Sequence, residues 1–150
     1  MRKLTPLNSI MLVDDDDTTN YLNHRLLEGL NAAKKIITIK DGEQALSYLS
    51  NACDTSKSEE FPCPDLIFMD IKMPVMDGFE FLKAYQDASL AAKKNINLFM
   101  LTSSASFYDL EHLKQFPEVK RHYSKSLTET DVKDIFTEFF PDHVQYLKEE

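Results

Sequence analysis

The chain has 150 residues, 43% of them hydrophobic and 28% charged, which is enough apolar material for one packed domain and too much for a disordered chain. Asp and Glu outnumber Lys and Arg 25 to 17 and set the formal charge at -8, the wrong sign for a nucleic-acid binder, whose affinity comes from cationic contacts to phosphates. No stretch approaches the roughly 18 apolar residues of a membrane span, and "MRKLTPLNS" carries no apolar run behind its basic start, so a cytoplasmic protein that binds neither nucleic acid nor membrane is expected.

In chain order, "SIMLV" (Ser9 to Val13) reads as a strand buried on both faces. Leu22, Leu26, Leu27 and Leu30 then recur at helical spacing and are expected to form the buried side of a helix. "KIITI" (Lys35 to Ile39) is β-branched and strand-like, and "DGEQALSYLS" opens on an Asp-Gly turn and puts Ala45, Leu46 and Leu49 on one helical face. The polar, proline-ended "NACDTSKSEEFPCP" is a loop. Its Cys53 and Cys63 lack CxxC spacing and are expected as reduced thiols.

"DLIFMD" (Asp65 to Asp70) is the next strand, followed by a helix in "DGFEFLKAYQDA" with Phe79, Leu82 and Tyr85 or Gln86 in register. "INLFML" is a fourth strand, and "FYDLEHLKQF" places Phe107, Leu110 and Leu113 at helical spacing. "EVKRHYS" is a weaker strand, and "TDVKDIFTEFF" aligns Val132, Ile135, Phe136 and Phe139. Pro141 is expected to stop this helix and leave residues 141–150 as a tail with one or two further turns, around a single domain whose core runs from about 8 to 140.

Five β-then-α units in succession imply an α/β fold: a five-stranded parallel sheet, doubly wound with helices on both faces, because parallel neighbours need a crossover. Ligands in such sheets sit beyond the carboxyl ends of the strands. Standing there are Asp14 to Asp17 after the first strand, Asp70 after the third, Thr102 to Ser104 after the fourth and Lys125 after the fifth. Carboxylates gathered about 4 Å apart repel by about 4 kcal/mol per pair at an effective dielectric near 20, a cost that calls for a cation. Mg²⁺ suits such a set because it takes one or two carboxylates and leaves room for phosphate oxygens. Lys125 would add a second positive charge, the Thr102 hydroxyl could donate to a phosphoryl oxygen, and Asp70 would be the nucleophile toward phosphorus.

The acidic pair Asp14-Asp15, Asp70 within "DLIFMDIKMPVMDGFEFL", Thr102 in "LFMLTSSA" and Lys125 in "HYSKSL" together resemble the receiver domains of two-component response regulators over about Asn8 to Phe140. Pro74, Gly78 and "DGEQAL" also stand where that family has them. The resemblance implies a flavodoxin-like fold with strand order 2-1-3-4-5, in a stand-alone receiver. It makes Asp70 the phosphoacceptor and Asp15 a direct Mg²⁺ ligand, with Asp14 helping to place the ion and the Lys72 carbonyl as a further ligand. It makes Thr102 and His122 the switch residues. The implied donor is a sensor histidine kinase or a histidine phosphotransfer protein, and the implied output is a downstream protein target. Such a protein is a signalling switch that takes part in its own phosphotransfer and dephosphorylation, not an enzyme.

Two departures stand out. Ser126 follows the lysine where the family has proline after a cis bond, and a cis Lys125-Ser126 bond is expected here, at a cost of about 2.5 to 4 kcal/mol. Lys72, two residues past Asp70, is expected at the mouth of the site, where it would contact the phosphoryl group or hinder water; Ser104 would leave that mouth open. There are duller readings as well. Asp14 to Asp17 suit a helix cap, Lys125 alone would be a surface charge, and His122 could be an ordinary strand residue. The rival enzyme reading takes Asp14-Asp15-Asp16-Asp17-Thr18 as the DxDxT signature of haloacid-dehalogenase-like phosphatases with Asp14 as nucleophile, but it lacks a later acidic motif and leaves Asp70 unexplained.

Overall fold

The computed structural model describes residues 1–53, 62–88, 96–103 and 107–147. Its elements are β1 (Arg2–Leu4), β2 (Leu7–Val13), α1 (Asp17–Gly29), β3 (Ala33–Ile39), α2 (Gly42–Ala52), β4 (Leu66–Asp70), α3 (Gly78–Asp87), β5 (Asn97–Thr102), α4 (Phe107–Leu113), β6 (Val119–Ser124), α5 (Glu129–Phe139) and β7 (Val144–Tyr146). Five strands form one parallel sheet in the order β3-β2-β4-β5-β6. With β1 left out, this is the expected 2-1-3-4-5 order.

Period-two alternation along the central strands divides the core into two. Met11, Val13, Ile67, Met69, Leu98 and Met100 face α2 and α3, where they meet Leu49, Phe81, Leu82 and Tyr85. Ile10, Leu12, Leu66, Phe68, Phe99 and Leu101 face α1 and α5, packing on Leu27, Val132, Ile135 and Phe136. Every residue of β4 is buried, which is why its sequence reads as one unbroken apolar run ending in an acid. Among the described residues, no helix is long and apolar enough to cross a membrane.

The helix starts follow their side chains. Asp16, Asp41, Asp77 and Thr128 each accept a backbone N–H at an N-cap, and the last two complete capping boxes with Glu80 and Asp131. Helix α1 ends at Gly29 and the chain leaves it through Asn31 at φ 56°, with the Ala32 N–H returning to the Leu27 carbonyl.

Several expectations are corrected. Leu22 is not on the buried side of α1: it is 51% exposed, while Asn20, Asn23 and Leu27 are buried and Leu26 and Leu30 are only partly so. Leucine spacing pointed to a stripe rotated from the real one, because two asparagines there are paid no burial penalty once hydrogen-bonded. Cys53 and Cys63 form a disulfide, with Cα atoms 4.8 Å apart. The Tyr48 hydroxyl donates to the Pro62 carbonyl and draws the returning chain over the end of α2, within bridging range.

The described part of the tail, residues 141–147, takes one 3₁₀ turn at Pro141–His143 and then forms β7, which pairs antiparallel with β1. Leu4, Val144 and Phe140 join the α1/α5 side of the core, and Arg2 Nη1 lies 2.8 Å from Asp134 Oδ1 on α5. Ordered structure thus reaches beyond the expected 8–140 core at both ends. The Phe107 side chain and Ser104 lie outside the described residues, so the helical register given to the one and the open mouth ascribed to the other stay as expectations.

Candidate functional site

The carboxyl ends of β2, β4 and β5 and the loop after β6 meet at one edge of the sheet. Asp14 and Asp70 are each 2% exposed. Asp15 is exposed, and carboxylate oxygens of Asp14, Asp15 and Asp70 all lie within 4.8 Å of one another. Lys125 reaches in from the loop following β6, its Nζ 3.3 Å from Asp14 Oδ1 and 3.3 Å from Asp70 Oδ2.

Local hydrogen bonds aim these groups. Asp14 Oδ1 accepts the Asp16 N–H at 2.9 Å and Asp70 Oδ1 accepts the Lys72 N–H at 3.2 Å, so one oxygen of each acid is turned to its own loop. The other oxygen of each, Oδ2, is buried: that of Asp70 has the Lys125 ammonium beside it, and that of Asp14 has no partner. Burial holds the Asp14 carboxyl up at about 6, against an ordinary 3.8, with Asp70 adding to the rise and the Asp16 N–H and Lys125 opposing it. Asp70 is also raised, by burial first, with Lys125 and the Lys72 N–H pulling it back. Burial alone would lower Lys125, but Asp14 and Asp70 together outweigh it and the ammonium form is favoured. One cation therefore underserves two buried acids, and the orphaned Asp14 oxygen in a cluster of three carboxylates fits a hard divalent ion.

The loop after Asp70 is shaped by two backbone features. Gly78 opens α3 against the loop, where a Cβ would stand 2.8 Å from Ile71 Cα and 2.9 Å from the Asp70 carbonyl. Val75 sits at φ 69° with the Met76 N–H on the Pro74 carbonyl, a γ-turn that a β-branched residue enters only under strain.

Thr102 ends β5 and lines a small pocket with Asp70, Ile71, Lys72, Ser103 and Asp109. The Lys72 ammonium is exposed and lies 4.0 Å from Asp109 of α4, at the rim of that pocket. His122 is exposed on β6, in register with Met100, and outside both the acidic cluster and the pocket. The Lys125-Ser126 bond is trans, contrary to the expected cis bond. Lys125 reaches both acids without the isomer that would have cost several kcal/mol.

Sequence reading overlooked Asn20 and Asn23. The Asn20 amide donates to the Asp14 carbonyl at 2.7 Å, and Asn23 donates to the Lys125 carbonyl while accepting the Leu127 N–H, both at 3.2 Å. Their only signal was negative: two polar residues three apart, on a helix whose leucines did not make a full stripe.

A doubly wound parallel sheet that gathers three carboxylates and a lysine at its strand ends defines a flavodoxin-like domain with an acidic, cation-ready pocket. Comparison with known proteins then gives the family. Residues 10–135 match the model of the response regulator receiver domain, and the chain belongs to that family, the receivers of two-component signalling. It is 36% identical over 104 residues to hybrid signal transduction histidine kinase D of Dictyostelium discoideum, covering 68% of this chain but 6% of that protein's length. It is 28% identical over 133 residues to response regulator Rcp1 of Synechocystis, spanning 87% of this chain and 83% of Rcp1. The Mn(2+)-bound form of Rcp1 superposes with a TM-score of 0.64 at 25% identity, covering 87% and 93% of the two chains. A two-component response regulator from Cytophaga hutchinsonii has the same fold, with a TM-score of 0.78, 24% identity and 91% and 96% coverage.

Proposed function

We propose that this chain is a phosphorylation-controlled switch in which Asp70 takes a phosphoryl group from the phosphohistidine of a sensor kinase or phosphotransfer protein. An oxygen of the Asp70 carboxylate attacks phosphorus, the P–N bond to the donor imidazole breaks, and the imidazole leaves with the bonding electron pair. The product is an acyl phosphate that water later hydrolyses. Lys125 neutralises charge on the transferred group, and the Thr102 hydroxyl donates to one of its oxygens. Asp14, Asp15, Asp70 and the Lys72 carbonyl would hold Mg²⁺. When bound, the ion offsets the negative charge of the acids and of the incoming phosphate.

The observation that carries this reading is the pair of buried acids, Asp14 and Asp70, which share a single lysine and leave Asp14 Oδ2 with no partner. That the similar receiver Rcp1 has a Mn(2+)-bound form supports the divalent-ion reading. In this reading Thr102 and His122 carry the change outward from Asp70, the exposed imidazole turning inward, and a downstream protein reads the altered α4–β6–α5 face.

Incubation with Mg²⁺ and phosphoramidate, followed by mass spectrometry of wild type, Asp70→Asn and Asp14→Asn, tests the assignment. One phosphoryl adduct on Asp70, absent in Asp70→Asn, is the expected result. Label on Asp14 with steady turnover would replace the switch by a phosphatase.

A further inference from the structure

We propose that Asn23 is the positioning residue for Lys125, a role that rests on the switch reading for its chemical meaning but on geometry for its existence. Lys125 sits on the loop between β6, which ends at Ser124, and α5, which begins at Glu129, so no helix or strand hydrogen bonds of its own hold it in place. Its N–H donates to the Thr102 carbonyl at 2.9 Å, which ties the loop to β5. The other side is held by Asn23, 102 positions earlier in the chain. The carboxamide of Asn23 uses both ends, Nδ2 donating to the Lys125 carbonyl and Oδ1 accepting the Leu127 N–H.

Ser126 lies between the two bonded residues, so the carboxamide spans the turn. It fixes the trans Lys125-Ser126 peptide by clamping the residues on either side of Ser126, the place where a proline ring would otherwise have restricted the backbone. Asn23 is 3% exposed, and a buried carboxamide is tolerated only because its donor and acceptor are both used.

One turn earlier on the same buried face, Asn20 donates to the Asp14 carbonyl. Helix α1 thus braces the two sides of the pocket at once, the acid end of β2 and the lysine loop, and sets the 3.3 Å approach of the ammonium to Asp14 and Asp70. Asn23 touches no reacting atom. Its effect passes through Lys125.

The test compares wild type, Asn23→Leu, Lys125→Ala and the double variant in the full chain. Leucine has nearly the shape of asparagine and tolerates burial, and Asn23→Ser is a second variant should Asn23→Leu fail to melt cooperatively. With Mg²⁺ and phosphoramidate at saturation, Asn23→Leu is expected to slow phosphoryl gain on Asp70 about tenfold, as displacement of a catalytic group by a fraction of an ångström does. In the Lys125→Ala background it should cost nothing further. Acetic anhydride labelling followed by mass spectrometry reads the lysine directly. Lys125, relative to exposed Lys83, should label several-fold faster in Asn23→Leu than in wild type. Wild-type phosphorylation in Asn23→Leu, a defect that multiplies with Lys125→Ala, or unchanged Lys125 labelling overturns the proposal. If wild type gains no phosphoryl group at Asp70 the switch reading fails, and the labelling result alone then decides whether Asn23 positions the lysine.

Discussion

Replacing Asp14 with asparagine should stabilise the metal-free protein, against the usual outcome of altering a buried polar residue. The Asp14 carboxyl, 2% exposed, is held at about 6 in place of 3.8. Because the folded value lies above the unfolded one, the fold favours the protonated acid. That contribution is fully present below about pH 4 and is lost as pH rises through about 6. Ionising the group in the folded protein therefore costs about 3 kcal/mol at pH 7.5. Asp14→Asn removes that cost while its carboxamide oxygen can still accept the Asp16 N–H. For a chain of this size the gain corresponds to a rise of roughly 6 to 12 °C in Tm. Thermal melts followed by circular dichroism, in EDTA at pH 7.5 and pH 4, measure it. The gain should be large at pH 7.5 and absent at pH 4. In wild type Mg²⁺ should supply a similar rise at pH 7.5, and very little in Asp14→Asn. A lower Tm for Asp14→Asn in EDTA at pH 7.5, or an equal gain at both pH values, would refute the argument that an uncompensated charge strains the pocket.

Three further outcomes are expected. Gly78→Ala should cost about 1 to 3 kcal/mol in urea unfolding, because its methyl group would press on Ile71 Cα and the Asp70 carbonyl, neither of which can give way as a side-chain end could. Val75→Gly should stabilise by about 1 kcal/mol in the same assay, since glycine adopts φ 69° without strain; a destabilised variant would mean that the γ-turn stores none. Cys63→Ser should cost about 2 to 3 kcal/mol, the chain entropy released when a loop ten residues long is no longer closed, and reductant should cost wild type the same while leaving the variant unchanged.

The parallel sheet was legible because each central strand carries its own evidence: Leu66 to Asp70 is buried throughout, and an unbroken apolar run of that length has few other uses; the strand order came only with the resemblance to receivers. The acids, Thr102 and Lys125 were legible as a group because strand ends converge in any doubly wound sheet, whatever the details of packing. What escaped depends on contacts made across the chain. Asn20 and Asn23 are hydrophilic in isolation and become interior only through partners at Asp14 and at positions 125 and 127. The pieces "RKL" and "VQY" are too short to show a period and exist as strands only in each other's company. The Cys53–Cys63 bridge depends on where the chain returns after α2, and the trans bond at Ser126 on what braces it, neither of which is written in local composition.

The β1–β7 ribbon also has a mechanical consequence. Met1 and Leu147 face each other at its open end, the Leu147 N–H on the Met1 carbonyl at 2.8 Å, and the pairing runs inward from Arg2 opposite Tyr146 to Leu4 opposite Val144. Tension applied between the two termini would load these bonds one after another, like a zipper, where a shearing geometry would share the force among them. Under pulling, the ribbon should therefore open first and at low force, while the parallel sheet and its acidic pocket remain intact behind it.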